Sequence, residues 1–175
     1  ISKEKLEDCI NSDLANNFGN LCQRVTAFAT KNCGGKIPDK INFDKEDLRL
    51  LNKFKSNLNL IRDKIDNQDI NYYISFIVNT LFETNKYFND QEPWKKKDQM
   101  TRLNTIVYTT LEIVRKISFM LYPIIPESSL KALKIFNISE NEINFSSLEN
   151  HEYLKKGISI NSIDILFKKI EKIND

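Results

Sequence analysis

An all-α fold is predicted by three features of this chain. Glycine and proline number only four each in 175 residues, too few for the turns of an all-β sandwich. Long stretches contain neither residue, and their apolar residues recur with helical spacing rather than strand alternation. The hydrophobic share of 41% beside a charged share of 29% describes one globular domain with a real core. The predicted architecture is an antiparallel bundle of four to five main helices over about residues 1–136, followed by an irregular tail over about 137–175.

The first helix carries Leu14, Phe18, Leu21, Val25 and Phe28 in one stripe, with Ser12 or Asp13 as its N-cap and Cys33–Gly35 as its stop. After the loop KIPDKINF, a second helix opens near Asp44 and buries Leu51, Phe54, Leu58, Ile61 and Ile65, leaving its other side charged. The turn IDNQD leads to a third helix from about Ile70 to Phe88, with Tyr73, Ile74, Ile77, Leu81 and Phe88 inward. Pro93 breaks the chain, and a fourth helix runs from about Asp98 to Tyr122 until Pro123 ends it. A short fifth helix is expected over Leu130 to Phe136. Weaker periodicity beyond it predicts extended pieces and one short terminal helix.

Several function classes are disfavoured. A net charge of +2 and an isoelectric point near 8.3 fall short of the basic footprint of a protein that holds nucleic acid by phosphate neutralisation alone, so any nucleic-acid contact is expected to be local and no DNA partner is expected. Cys9, Cys22 and Cys33 form no paired motif, and the single His151 lies far from them, so neither a disulfide framework nor a metal site is indicated. No apolar run is long enough to span a bilayer, and a reducing, cytoplasmic setting fits best. No phosphate loop, HExxH or GxSxG is present. His151 reads as a solvated loop residue, and the carboxylate pairs Glu46 with Asp47 and Glu140 with Glu142 read as dipole and solubility features.

Two places stand out. NSDLANNFGNLCQR, within the first helix, tolerates a glycine and several asparagines, although glycine inside a helix costs about 1 kcal/mol against alanine. With its apolar stripe turned inward, Asn17, Asn20 and Arg24 line the other side. The only tryptophan, Trp94, stands in the polar loop EPWKKK. A solvated stripe and a loop tryptophan tucked into a core edge explain these residues on pattern alone. Together, however, they offer an aromatic platform, an amide and a guanidinium, which are the groups that recognise unpaired RNA bases.

NSDLANNFGNLCQR also resembles the N-x-D-L-A-N-x-L-G-N-L-x-x-R signature that opens the anticodon-binding helical domain of methionyl-tRNA synthetases, and TNKYFNDQEPWKKK is similar to that family's N-x-Y-x-x-x-x-x-P-W-x-L segment. The resemblance covers nearly the whole chain. It implies that Asn20, Arg24 and Trp94 read the CAU anticodon of tRNA-Met, with the indole stacked on the wobble cytosine. Asn16 and Asn17 also match the signature but are read as bonding helix to helix, and Gly19 as admitting a close helix approach.

The sequence departs from that family in three ways. Lys96 replaces an apolar residue, which predicts a less firmly anchored tryptophan loop, and Phe18 replaces a leucine. The HIGH-type and KMSKS-type motifs of the family's catalytic Rossmann domain are absent. The resemblance therefore implies a non-catalytic fragment without a cofactor, cut from a parent that joins methionine to its tRNA using ATP with magnesium. Two rival readings are a helical protein-binding adaptor and the anticodon domain of a valyl, isoleucyl or leucyl enzyme. The Pro93–Trp94 pair disfavours the second.

Overall fold

The computed structural model describes residues 3–161. Among these residues five α-helices carry the fold: α1 (Lys3–Asn32), α2 (Lys45–Asp66), α3 (Ile70–Gln91), α4 (Met100–Leu121) and α5 (Pro126–Lys134). A 3-10 turn, Pro93–Lys95, joins α3 to α4, and two more, Glu140–Glu142 and Phe145–Glu149, punctuate the segment after α5.

Helix α4 is central. It touches α1, α2, α3 and α5, and every residue from Thr105 to Leu121 is buried. Helices α2 and α3 are antiparallel, since Asp47 meets Tyr87 at one end and Lys64 pairs with Asp69 at the other. Helices α3 and α4 are antiparallel too, because the Tyr73 hydroxyl donates to the carbonyl of Met120. Cys33, just past α1, meets Asn104 in the first turns of α4. Helix α1 also touches α5, which folds back on the end of α4 through a 2.6 Å bond from the Ser129 hydroxyl to the Ser118 carbonyl. The end of α1 therefore lies where α3 finishes and α4 starts, and Leu14, Phe18, Leu21 and Val25 run back from there within the shared core, so α1 runs antiparallel to α4 and parallel to α3.

Most predicted inward residues are buried: Leu14, Phe18, Leu21 and Val25 on α1, Leu51, Phe54, Leu58 and Ile61 on α2, and Tyr73, Ile77, Leu81 and Phe88 on α3. The boundaries differ in two helices. Helix α1 begins nine or more residues before the expected caps Ser12 and Asp13, which lie inside it and are exposed; a mid-helix Ser or Asp that faces solvent need not end the helix. Helix α5 begins at Pro126 rather than near Leu130, because proline is pre-set for the first helical position and forfeits no hydrogen bond there. Ile65, expected inward, is exposed in the last turn of α2.

Helix α2 opens near Asp44 as expected, and Asp44 caps it, with its carboxylate accepting from the amides of Glu46 and Asp47 and the Asp47 carboxylate accepting in return from the Asp44 amide. Gly34 and Gly35 both take positive φ, +63° and +67°, at the predicted stop of α1. The segment after α5 returns to that stop: Ile37 donates to Ile158, Gly157 to Ile37 and Ile160 to Gly35. The terminal helix expected of the sequence lies outside the described residues.

Candidate nucleic-acid interface

Helix α3 ends at Gln91, and Glu92 adopts the left-handed conformation (φ +46°) that turns the chain into Pro93–Lys95. Pro93 is buried and holds the turn, while Trp94 remains 41% exposed. One side of the indole leans on Phe88, with ring centres 6.2 Å apart and planes tilted by 56°, a contact worth about 1 kcal/mol beyond burial. Phe88 is in turn held edge-on by Phe28 of α1 at 5.7 Å.

Arg24 completes the arrangement. Its guanidinium carbon stands 4.9 Å from the centre of the Phe88 ring and 5.8 Å from that of Trp94, within cation–π range of both. Its Nη2 donates to the Asn89 side-chain oxygen. A planar cation spanning two aromatic faces is pre-organised, so less rotamer freedom is lost when it bonds a ligand. Asn20 is exposed one turn earlier, and among the described residues no hydrogen bond engages its side chain. The structure thus brings Arg24 and Trp94 into contact and places Asn20 beside them on the same line of α1.

The turn bearing Trp94 is anchored from below by a network that sequence reasoning missed. Asp47, read as a dipole carboxylate, is fully buried. Arg102 of α4 binds it in bidentate fashion at 2.7 and 3.0 Å, reaches Asp44 at 3.1 Å and donates to the Gln91 amide oxygen at 2.8 Å. The Tyr87 hydroxyl donates to Asp47 as well. Burial by itself raises the Asp47 carboxyl, but the bonds from Arg102, Tyr87 and the Asp44 amide outweigh it, and the group is held below its ordinary range. Three helices therefore meet at one carboxylate, immediately behind Gln91. The signals available were Tyr87 in the N-x-Y segment and the D-x-x-D spacing at the cap.

Lys96 also differs from expectation. Rather than loosening the turn, its half-buried ammonium donates to the Gln91 carbonyl at the end of α3, where the helix dipole favours a cation. The asparagines preceding Asn20 are a second correction. Asn16 and Asn17 are both exposed, and among the described residues no hydrogen bond joins either to another helix. Gly19 is buried.

His151 is not a solvated loop residue. Its Nδ1 lies 2.9 Å from the Lys116 ammonium and its Nε2 lies 2.9 Å from the Asn52 oxygen. Since ammonium only donates and that oxygen only accepts, the neutral ring carries its proton on Nε2. Arg115 and Glu112 form a fully buried ion pair at 2.6 Å, Arg115 also donating to the carbonyls of Ser147 and Asn150. None of these groups approaches the Arg24–Trp94 cleft in sequence or through a shared contact. Among the described residues no His/Cys/Asp/Glu group could hold a metal ion, and no helix is long and apolar enough to cross a membrane.

Comparison with known proteins decides what this arrangement belongs to. A family profile described as the anticodon binding domain of methionyl tRNA ligase matches residues 37–175. The chain belongs to this family. The methionine--tRNA ligase of Rickettsia felis is 35% identical over 178 aligned positions, covering 97% of this chain and 34% of that protein. That of Thermotoga maritima is 33% identical over 172, covering 97% and 27%. Alignments of this reach include α1, which the profile match does not. The methionyl-tRNA synthetase of Mycobacterium tuberculosis, solved in complex with methionyl-adenylate, superposes with a TM-score of 0.80 at 30% identity, over 93% of this chain and 32% of that one. Its apo form gives 0.79 at 31% identity, over 92% and 33%. The chain thus spans about a third or less of the proteins it matches, and in architecture it is the helix bundle expected of the sequence.

Proposed function

We propose that this domain docks the anticodon loop of tRNA-Met, within a methionine-tRNA ligase that joins methionine to its tRNA using ATP with magnesium. The observation that carries the reading is Arg24 lying against the half-exposed Trp94 with Asn20 one turn away. Trp94 supplies a platform for the wobble cytosine of CAU. Stacking accepts any base, so Asn20 and Arg24 discriminate, through an amide that pairs with a base edge and a guanidinium that bonds base or phosphate. The chain alone carries no catalytic activity and binds no cofactor, and the parent works in the cytoplasm.

A helical adaptor would use the same tryptophan as an anchor. The residues around it, Glu92, Lys95, Lys96 and Lys97, are charged rather than apolar, which suits RNA better than the core of a protein interface. Titrating the chain with stem-loops of different anticodon sequence tests the proposal. A preference for the CAU loop is expected; equal affinity for all loops would refute anticodon reading.

A further inference from the structure

Phe82 is 70% exposed, and among the described residues no large apolar side chain is more so. It stands on α3 in the line Val78, Phe82, Asn85, Asn89, whose 4-3-4 spacing keeps all four on one side of the helix. The last member of that line, Asn89, accepts from Arg24 of α1. The opposite flank of α3 belongs to α2, where Glu83 pairs with Lys53 and Tyr87 with Asp47. Helix α1 presents a matching line, Asp13, Asn17, Asn20, Arg24, with the same 4-3-4 spacing. Because α1 and α3 run parallel, equal steps back from the Arg24–Asn89 pair set Asn20 at the level of Asn85 and Asn17 at the level of Phe82.

We infer that Phe82 is a second base-stacking platform, which takes another unpaired base of the same RNA loop while Trp94 holds the wobble base. The inference rests on the function proposed above and extends it along the α1–α3 cleft. Seven residues separate Phe82 from Asn89, about 10 Å along the axis, so the ring serves a neighbouring base rather than the one on the indole. The exposed Asn17 and Asn20 can pair with base edges, as can the side-chain oxygen of the half-buried Asn85, whose amide nitrogen donates to the Leu81 carbonyl at 3.1 Å. The cleft is thus an aromatic ring flanked by amides, continuous with the Arg24–Trp94 contact. That is the chemistry of a splayed single strand; Val78, 46% exposed one turn before Phe82, is the one aliphatic member of the line, too little for the apolar core of a protein interface. Asp13, the next member of the α1 line, repels phosphate and bounds the RNA track at this level.

The test is the affinity of the full chain for a CAU stem-loop, measured at several salt concentrations for wild type, Phe82→Ala, Phe82→Tyr and Trp94→Ala. Phe82→Ala should weaken binding about five- to a hundredfold, with the slope of log affinity against log salt unchanged because no phosphate contact is lost. Phe82→Tyr, which keeps the ring, should retain most of the affinity, and melting temperatures should hardly move. Phe82→Ala binding within twofold of wild type overturns the inference, as does a large drop in its melting temperature, which would make Phe82 a packing residue. If Trp94→Ala weakens binding while Phe82→Ala does not, only the Phe82 inference falls. If neither does, the anticodon reading falls with it.

Discussion

The Arg24 guanidinium lies 5.8 Å from the centre of the Trp94 indole while its Nη2 is held by Asn89. Each residue positions the other. Their contributions to RNA binding should therefore not add: a double-mutant cycle of Arg24→Ala and Trp94→Ala should show a coupling of about 0.5 to 3 kcal/mol. Strict additivity in stem-loop affinities would mean that the two act on separate parts of the loop.

Arg24→Ala alone should cost about 1 to 3 kcal/mol of binding to the CAU loop and narrow the gap between right and wrong anticodons if the guanidinium reads a base. A phosphate contact would weaken all loops alike and lower the salt slope by about one ion. Melting temperature should change little, because a partly exposed arginine contributes little to folding. Unaltered affinity for every loop would reduce the polar line of α1 to a solvated surface.

The Asp47 network predicts a stability effect at a distance from the RNA. Arg102→Ala leaves a buried carboxylate without its cation, and should cost about 3 kcal/mol in urea unfolding, the low end for breaking a buried pair, because Arg102 itself is 19% exposed. Tyr87→Phe removes one bond to the same carboxylate and should cost about 1 to 2 kcal/mol. A change below about 0.5 kcal/mol for Arg102→Ala would show that the network carries no net stability.

The apolar stripes were legible in the sequence because a 3.6-residue period needs nothing but the chain itself, and Leu14, Phe18, Leu21 and Val25 are buried as that period requires. What escaped was polar and non-local. Glu112, Arg115 and Lys116 lie on a helix buried on all sides, where, besides the Arg115–Glu112 pair, the Ser147 hydroxyl and His151, their partners are carbonyls of Ser147, Leu148 and Asn150 and the amide of Leu154. Backbone groups have no side-chain signature, so the pairing could not be read. Asp47 was misread for a related reason: its position as third residue of α2 suits the dipole as well as burial. Of the candidate site, Arg24 and Trp94 were singled out in the sequence, but their mutual contact through Phe88 and the clamp at Asn89 depended on α1 and α3 being neighbours.

The Lys116–His151 pair predicts how stability varies with pH. Burial first, and then the charge of Lys116, lower the imidazole from its ordinary 6.5 to about 4. Between those values the unfolded chain binds a proton that the folded chain refuses, so stability is full above about 6.5 and is lost as pH falls toward 4. Burial, followed by the charge of Arg115, lowers the Lys116 amine from 10.5 to about 7, so its contribution rises from about pH 7 upward. Asp47, held below its ordinary 3.8, adds loss only below that window. Melting temperature should thus fall on acidification from pH 6.5 to 4, and His151→Gln should flatten that limb. An equally steep limb in the variant would exclude His151 as its source.

The central claim, that Trp94 is a base platform rather than a packing residue, is tested most directly by measuring melting temperature and CAU stem-loop affinity on the same Trp94→Ala sample. The indole is 41% exposed and rests on Phe88 by one side, so its truncation should lower stability far less than the roughly 3 to 5 kcal/mol of a core tryptophan. Binding should fall by about 1 to 3 kcal/mol, five- to a hundredfold, with Trp94→Phe keeping part of the affinity and much of the preference for cytosine at the wobble position. A large drop in melting temperature with undiminished affinity of the remaining folded protein would contradict the account.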